Sequence, residues 1–306
     1  MKLSMRIIMA LAALQGHPIR FSTVAAPDKD PDSVALDIGP GPQIGRVRNL
    51  RSDKGIAYSG DLRMDVLVPQ GSGPFPLVLY LPGGGFVSAR RMMAGKQRRY
   101  VAAAGFVVAS IDYRTTTVGA TYRDGLADIA AALAFLRDHA AEYAIDPDHV
   151  AVWGESAGGY LASMAGTAPD NRIDAVVDFF GASNLAAIAD GFEGDIVAAT
   201  TGPDSPITAY VVGPGGLAVG EMHEADPTSR VTPTTPPFLI FHGDDDRIIP
   251  PAQTAHLHQA LRAAGVPSTR YIVTGAGHGD LSDDPAPWTT TQLMDLVTTF
   301  LHDQLS

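Results

Sequence analysis

Gly154-Glu155-Ser156-Ala157-Gly158 follows the apolar stretch Val150-Ala151-Val152-Trp153 and opens into an Ala-rich run. That context predicts a strand turning sharply into a helix. Glycines on both sides of Ser156 let backbones approach closely. The turn exposes the hydroxyl at the strand end, and a helix N-terminus behind it favours negative charge on a bound oxygen. The alternative is a glycine-rich turn whose serine caps a helix; the strand before it favours a nucleophile. A serine hydroxyl needs a base. Of the nine histidines, His278 is the best placed. It sits in Gly275-Ala276-Gly277-His278-Gly279, just after the strand expected over Ser268 to Val273, and small neighbours leave the imidazole room. His139, His256, His258 and His302 fall on expected helices. His149 lies in a turn entering a strand, and His17 and His223 lie outside the expected core. His242 ends a strand among neighbours that suggest a structural role.

A carboxylate that orients the base is offered by Asp244, Asp245 and Asp246, which follow the strand Pro236 to Phe241. Their positions alone leave the three open. Consecutive aspartates beside one histidine have no recognisable metal-ligand spacing, so no metal and no other cofactor is expected. Leu81-Pro82-Gly83-Gly84-Gly85-Phe86 follows the apolar run Phe75 to Leu81, and its glycines allow amides to turn toward a developing oxyanion. A phosphate-binding loop would carry a Lys-Ser/Thr or a helix glycine pattern, and neither is there. The Ala157 N–H would complete the donor set.

Such residues converge only if the elements between them deliver them to one place. Phe75 to Leu81, Phe106 to Ile111, Val150 to Trp153, Ala175 to Phe180 and Phe238 to Phe241 are short apolar runs of the kind buried in parallel sheets. Arg46 to Leu50 and Leu62 to Val68 also read as strands. Helices are expected over Arg91 to Ala104, Tyr122 to Ala144, Ser156 to Gly166, Ala252 to Ala264 and Thr289 to Leu301. The alternation predicts an α/β class with a mostly parallel sheet between helices, whose ligands sit at the carboxyl ends of the strands. Pro27 to Pro42 reads as a loop or flexible arm. Residues 1–45 are expected to form an N-terminal arm or lid segment, and 46–306 the main domain. Gly181 to Val231 breaks the rhythm and is expected to be a small lid insertion.

The 306 residues carry a net charge of −11, 45% hydrophobic and 18% charged residues, and no cysteine. This composition suits a large core and excludes a disordered chain. It also argues against a nucleic-acid surface and rules out thiol chemistry and disulfides. Lys2, Arg6 and the apolar run Ile7 to Leu14 resemble the start of a signal peptide, but the run is short and Val24-Ala25-Ala26 is followed by Pro27. A short amphipathic helix is the expectation, with a cytoplasmic location and secretion as the alternative. No run is long enough to span a bilayer.

The chain resembles the α/β-hydrolase superfamily, in the branch of hormone-sensitive-lipase-like carboxylesterases and bifunctional feruloyl and acetylxylan esterases. The resemblance is carried by Gly83-Gly84-Gly85-Phe86, Asp112-Tyr113-Arg114, Val152-Trp153-Gly154-Glu155-Ser156-Ala157-Gly158-Gly159, Pro237 to Gly243 and Gly275 to Gly279, in family order from about Leu62 onward. It implies an eight-stranded sheet and a Ser-Asp-His order of catalytic residues. The family spacing H-G-x-x-D selects Asp246, and the family loop assigns the oxyanion donors to Gly84 and Gly85 beside Ala157. Phe86 and Glu155, which border the glycine loop and the serine, are expected to meet substrate. One departure stands out: the family loop begins His-Gly-Gly-Gly, and here Pro82 replaces the histidine. Proline fixes φ near −65° and is expected to stiffen the loop. The resemblance implies a serine ester hydrolase acting on a small-molecule ester of short acyl chain, and leaves a homodimer open. An amide hydrolase using the same residues is the alternative, and a non-catalytic binding protein on the same fold is a third reading.

Overall fold

The computed structural model describes residues 30–39, 41–168, 172–189, 205–213, 223–282 and 284–306. The expected N-terminal helix or leader, and residues 190–204 and 214–222 of the expected lid, lie outside them. One nine-stranded sheet runs in the order β1-β9-β8-β7-β6-β4-β5-β3-β2. Its strands are β1 Val34–Leu36, β2 Arg51–Ser59, β3 Leu62–Val68, β4 Phe75–Leu81, β5 Val107–Ile111, β6 Ile145–Glu155, β7 Ala175–Phe179, β8 Phe238–Gly243 and β9 Ser268–Val273. Neighbours from β1 to β5 are parallel; β3 and β2 are antiparallel.

The central strands alternate their apolar side chains between two cores, as a strand period of two requires. On β4, Leu77, Leu79 and Leu81 enter one core with Ile129, Leu133 and Leu136 of helix α2 (Tyr122–Asp138). Val78 and Tyr80 enter the other. There they join Val101 and Ala102 of helix α1 (Gly95–Ala103), with Leu293, Val297 and Leu301 near the C-terminus. Helices therefore cover both faces, and the strand ends are left to carry loops.

Four expectations change. The segment read as a loop supplies β1, a ninth strand zipped onto the edge of β9, and Ile38 and Ile44 are buried in the core. The second strand runs over Arg51–Ser59 rather than Arg46 to Leu50. It is a mostly exposed edge strand, so no apolar run announces it. Helix α1 begins at Gly95 rather than Arg91, because Arg91 is drawn aside by ion pairs to Asp65 (2.9 Å) and Asp112 (2.5 Å). The long helix expected to Ala144 breaks at His139, and a short helix α3 (Ala140–Tyr143) ends on Ala144 in a left-handed conformation.

Helix α4 (Ala157–Gly166) follows β6 and is wholly buried. Beneath it lies Asp178 of β7, with no solvent exposure. Its carboxyl accepts hydrogen bonds from the Gly181 N–H (3.0 Å) and the Ser163 hydroxyl (3.3 Å). Burial outweighs these donors and pushes its pKa up to about 7. A folded value above the unfolded one means the native state holds the extra proton. The associated stability is complete below the unfolded pKa and is lost as pH rises through 7. Asp178→Asn is therefore expected to raise Tm, relative to the native chain, more at pH 8 than at pH 4.5. Equal shifts at the two pH values in thermal melts would contradict it.

Candidate active site

The order β4, β6, β7, β8, β9 places the loops after these strands side by side at one end of the sheet. The turn from β6 into α4 puts Ser156 at φ 56° and ψ −120°, a sparsely populated conformation costing about 1–3 kcal/mol that persists only where surroundings enforce it. The Ser156 N–H donates to the Phe179 carbonyl (2.9 Å). At Gly158 a Cβ would stand 2.1 Å from the Leu81 carbonyl oxygen, so only glycine lets α4 lie this close to the end of β4.

His278 Nε2 lies 2.8 Å from Ser156 Oγ, and its Nδ1 lies 2.7 Å from Asp246 Oδ2. The three aspartates divide cleanly. Asp244 accepts from the Gly275 N–H (2.7 Å) and shapes the turn before the histidine. Asp245 is half-buried and pairs with Arg247 (2.9 Å). Asp246 has no exposed surface. Its Oδ1 accepts from the Ile248 and Ile249 N–H groups (2.9 and 3.0 Å), and His242 Nε2 lies 3.2 Å from Oδ2. Burial alone would raise its pKa. The facing His278 charge and the hydrogen bonds from His242 and His278 outweigh burial and hold it well below the usual carboxylate range.

The glycine loop is packed against the serine: a Cβ on Gly83 would lie 3.2 Å from Ser156 Cβ. Gly84 takes φ +154°, and its carbonyl accepts from the Val87 and Ser88 N–H groups (3.2 and 3.1 Å). Gly85, next in the loop, takes φ +62°, and Ala157 is the first residue of α4 after Ser156. The Pro82 carbonyl receives the Tyr113 hydroxyl at 2.7 Å, a buried anchor for the loop. The segment Asp112-Tyr113-Arg114 thus ties three things down. Asp112 holds Arg91, Tyr113 holds the loop, and Arg114 pairs with Asp128 (2.7 Å) of α2.

Phe86 requires a correction. Its ring is 2% exposed and packs on Tyr160 and Tyr210, so it fills the core beneath the loop instead of meeting substrate. The Glu155 carboxylate lies close enough to Tyr80 and Arg98 for its charge to act on both. Two supporting aromatics carried no motif. The Phe180 ring lies 4.7 Å from the His278 ring, and Trp288 Nε1 donates to the Gly277 carbonyl (3.0 Å). Only their place after β7 and before the last helix could have drawn notice.

The model of the BD-FAE family matches residues 64–261. Esterase LipC of Mycobacterium tuberculosis is 30% identical over 253 residues, 75% of this chain and 59% of its own. The probable carboxylic ester hydrolase LipM of the same organism is 27% identical over 206 residues, 62% of this chain and 46% of its own. The chain thus spans about half the length of the curated relatives it matches. Among solved structures, a bifunctional GH43-CE protein of Bacteroides eggerthii superposes with a TM-score of 0.71 at 24% identity, over 83% of this chain and 38% of that one.

Gly158→Ala is expected to cost about 1–3 kcal/mol or more, because its Cβ meets backbone that cannot move aside. Gly45→Ala, where a Cβ meets nothing within 4 Å, is expected to stay within about 0.5 kcal/mol. Urea unfolding of both variants checks the contrast, and equal midpoints would contradict it.

Proposed function

The chain belongs to the BD-FAE family of α/β-hydrolases, and from that premise we propose that it is a serine carboxylic ester hydrolase acting on small or short-chain esters. The observation that carries the reading is the unbroken row Ser156–His278–Asp246, with contacts of 2.8 and 2.7 Å. His278 Nε2 takes the Ser156 proton as Oγ attacks the acyl carbon. Asp246 orients the ring through Nδ1–H and stabilises the imidazolium. The oxyanion of the tetrahedral intermediate accepts hydrogen bonds from the Gly84, Gly85 and Ala157 N–H groups. Collapse passes the proton from His278 to the leaving alcohol. Water, activated by the same imidazole, then releases the acid from Ser156.

The described residues 181–189, 205–213 and 223–231 act as a cap in this reading. Support comes from helix α5 (Pro206–Val212), whose Tyr210 packs on Phe86 below the glycine loop, and from the Tyr160 hydroxyl, which donates to the Ala225 carbonyl (2.7 Å). The slight exposure of His278, 4%, favours a small acyl group. Among the described residues no helix is long and apolar enough to cross a membrane.

In assays with p-nitrophenyl esters, Ser156→Ala is expected to fall to near background and Asp246→Asn to lose about 10⁴-fold in kcat. Acetate and butyrate should turn over faster than laurate, and all three faster than aryl amides. An amide preferred over acetate would point to the alternative amidase. Tyr113→Phe leaves the buried Pro82 carbonyl without its donor, a loss of about 1–3 kcal/mol. We expect it to lower kcat about tenfold with KM little changed; an unchanged kcat would show that the anchor does not matter to the loop.

A further inference from the structure

Behind the proposed catalytic acid runs a second row of hydrogen bonds that the triad does not need for its own chemistry. His242, fully buried on β8, has Nδ1 2.8 Å from Thr254 Oγ1 and Nε2 3.0 Å from the Ile249 carbonyl. A carbonyl only accepts, so Nε2 carries the proton and Nδ1 accepts from the Thr254 hydroxyl. Burial and the Arg270 charge lower the His242 pKa, which keeps the ring neutral in this tautomer. Thr254, on helix α6 (Ala252–Ala263), in turn accepts from Arg270 Nε at 3.0 Å. Arg270 belongs to β9 and its side chain has no exposure. Its Nη2 donates to the Pro251 carbonyl (2.7 Å) and its Nη1 to the Ser33 hydroxyl. Asp30 Oδ2 lies 3.7 Å from Nη1, with the Asp30 side chain 1% exposed, and accepts the Ser33 hydroxyl at 2.7 Å.

From Arg270 inward the donors point toward Asp246, while Arg270 Nη1 donates outward to Ser33 and Ser33 to Asp30, which ties the charge down. Arg270 donates to Thr254, Thr254 to His242, and His242 Nε2–H faces Asp246 Oδ2 at 3.2 Å. Hydrogen bonds in series polarise one another in a low-dielectric interior, so a fixed positive charge at one end strengthens the donor at the other. The first residues described, just ahead of β1, hold that charge in place. We propose that Asp30, Ser33, Arg270, Thr254 and His242 form a positioning relay, by which the segment preceding the first strand holds the Asp246 carboxylate in register with His278. The relay rests on the reading of Ser156, His278 and Asp246 as the triad. Its members touch no reacting atom; they act through Asp246.

The test uses the full chain and p-nitrophenyl acetate, with folding verified by circular dichroism. Thr254→Val keeps the side-chain shape and removes the hydroxyl; Thr254→Ser keeps the hydroxyl and removes a methyl. The relay predicts that Thr254→Val loses roughly 10- to 100-fold in kcat, the scale of a catalytic group held slightly out of place, with KM within about twofold. Thr254→Ser should restore most of kcat. A pure packing role predicts the reverse order, and that result, or a native kcat in Thr254→Val, overturns the proposal. Should Thr254→Val fail to fold, Asp30→Asn at the far end of the row is read in the same way: lowered kcat at constant KM supports the relay, and native kcat overturns it. Ser156→Ala in the same assay separates the two levels. Activity surviving in Ser156→Ala sinks the triad reading and the relay with it; an inactive Ser156→Ala beside a fully active Thr254→Val sinks the relay alone.

Discussion

A carboxylate withdrawn from water stays ionised only when donors replace its hydration and an opposite charge faces it. Asp246 meets that condition with four donors. Two are backbone N–H groups of its own loop and two are imidazoles, His278 and His242. The requirement fixes more than one residue. The loop after β8 must curl so that the Ile248 and Ile249 amides point inward, and the loop after β9 must carry His278 to within reach. Both loops are pinned to each other by the Asp244 contact with Gly275 and by the Asp245 N–H to the Ala276 carbonyl. Once the imidazole is held by Asp246, its other nitrogen has one place to go, and Ser156 Oγ is there.

The sheet supplies this arrangement through strand order alone. β6, β7, β8 and β9 are adjacent and parallel, so their carboxyl ends present the serine, Phe180, the acid and the histidine in a row. β4, on the other side of β6, brings the glycine loop against the serine. Residues separated by 122 positions, Ser156 and His278, therefore meet without any long excursion of the chain. The cost is local. Ser156 holds a strained conformation and α4 lies against the end of β4, both of which need the glycines around the serine.

What could be read from the sequence followed the strength of the physical signal. The buried parallel strands are continuous apolar runs with turn residues at their ends, so five of them and the loops that follow were visible. The edge strands β1 and β2 were not, because a strand open to solvent on its flank needs no apolar run; β2 spells Arg-Ser-Asp-Lys-Gly-Ile-Ala-Tyr-Ser. Ser156 and His278 stood out through the glycines around them. The choice among Asp244, Asp245 and Asp246 did not, since three identical side chains in a row differ only in which way the loop turns them. Phe86 shows the opposite failure. Its position beside the glycine loop suggested substrate, whereas its size and apolarity sent it into the core between two tyrosines. His242 read only as structural and Tyr113 only as part of a family segment until the Pro82 carbonyl and the Asp246 carboxylate they face were placed.

Covalent labelling tests most directly whether one hydroxyl is made reactive by this geometry. The chain is treated with diisopropyl fluorophosphate at neutral pH and examined by intact mass and peptide mapping. The account predicts a single adduct, carried by Ser156 and abolished when His278 is replaced by alanine. An unlabelled chain, an adduct on another residue, or labelling of Ser156 at an unchanged rate without His278 would contradict it.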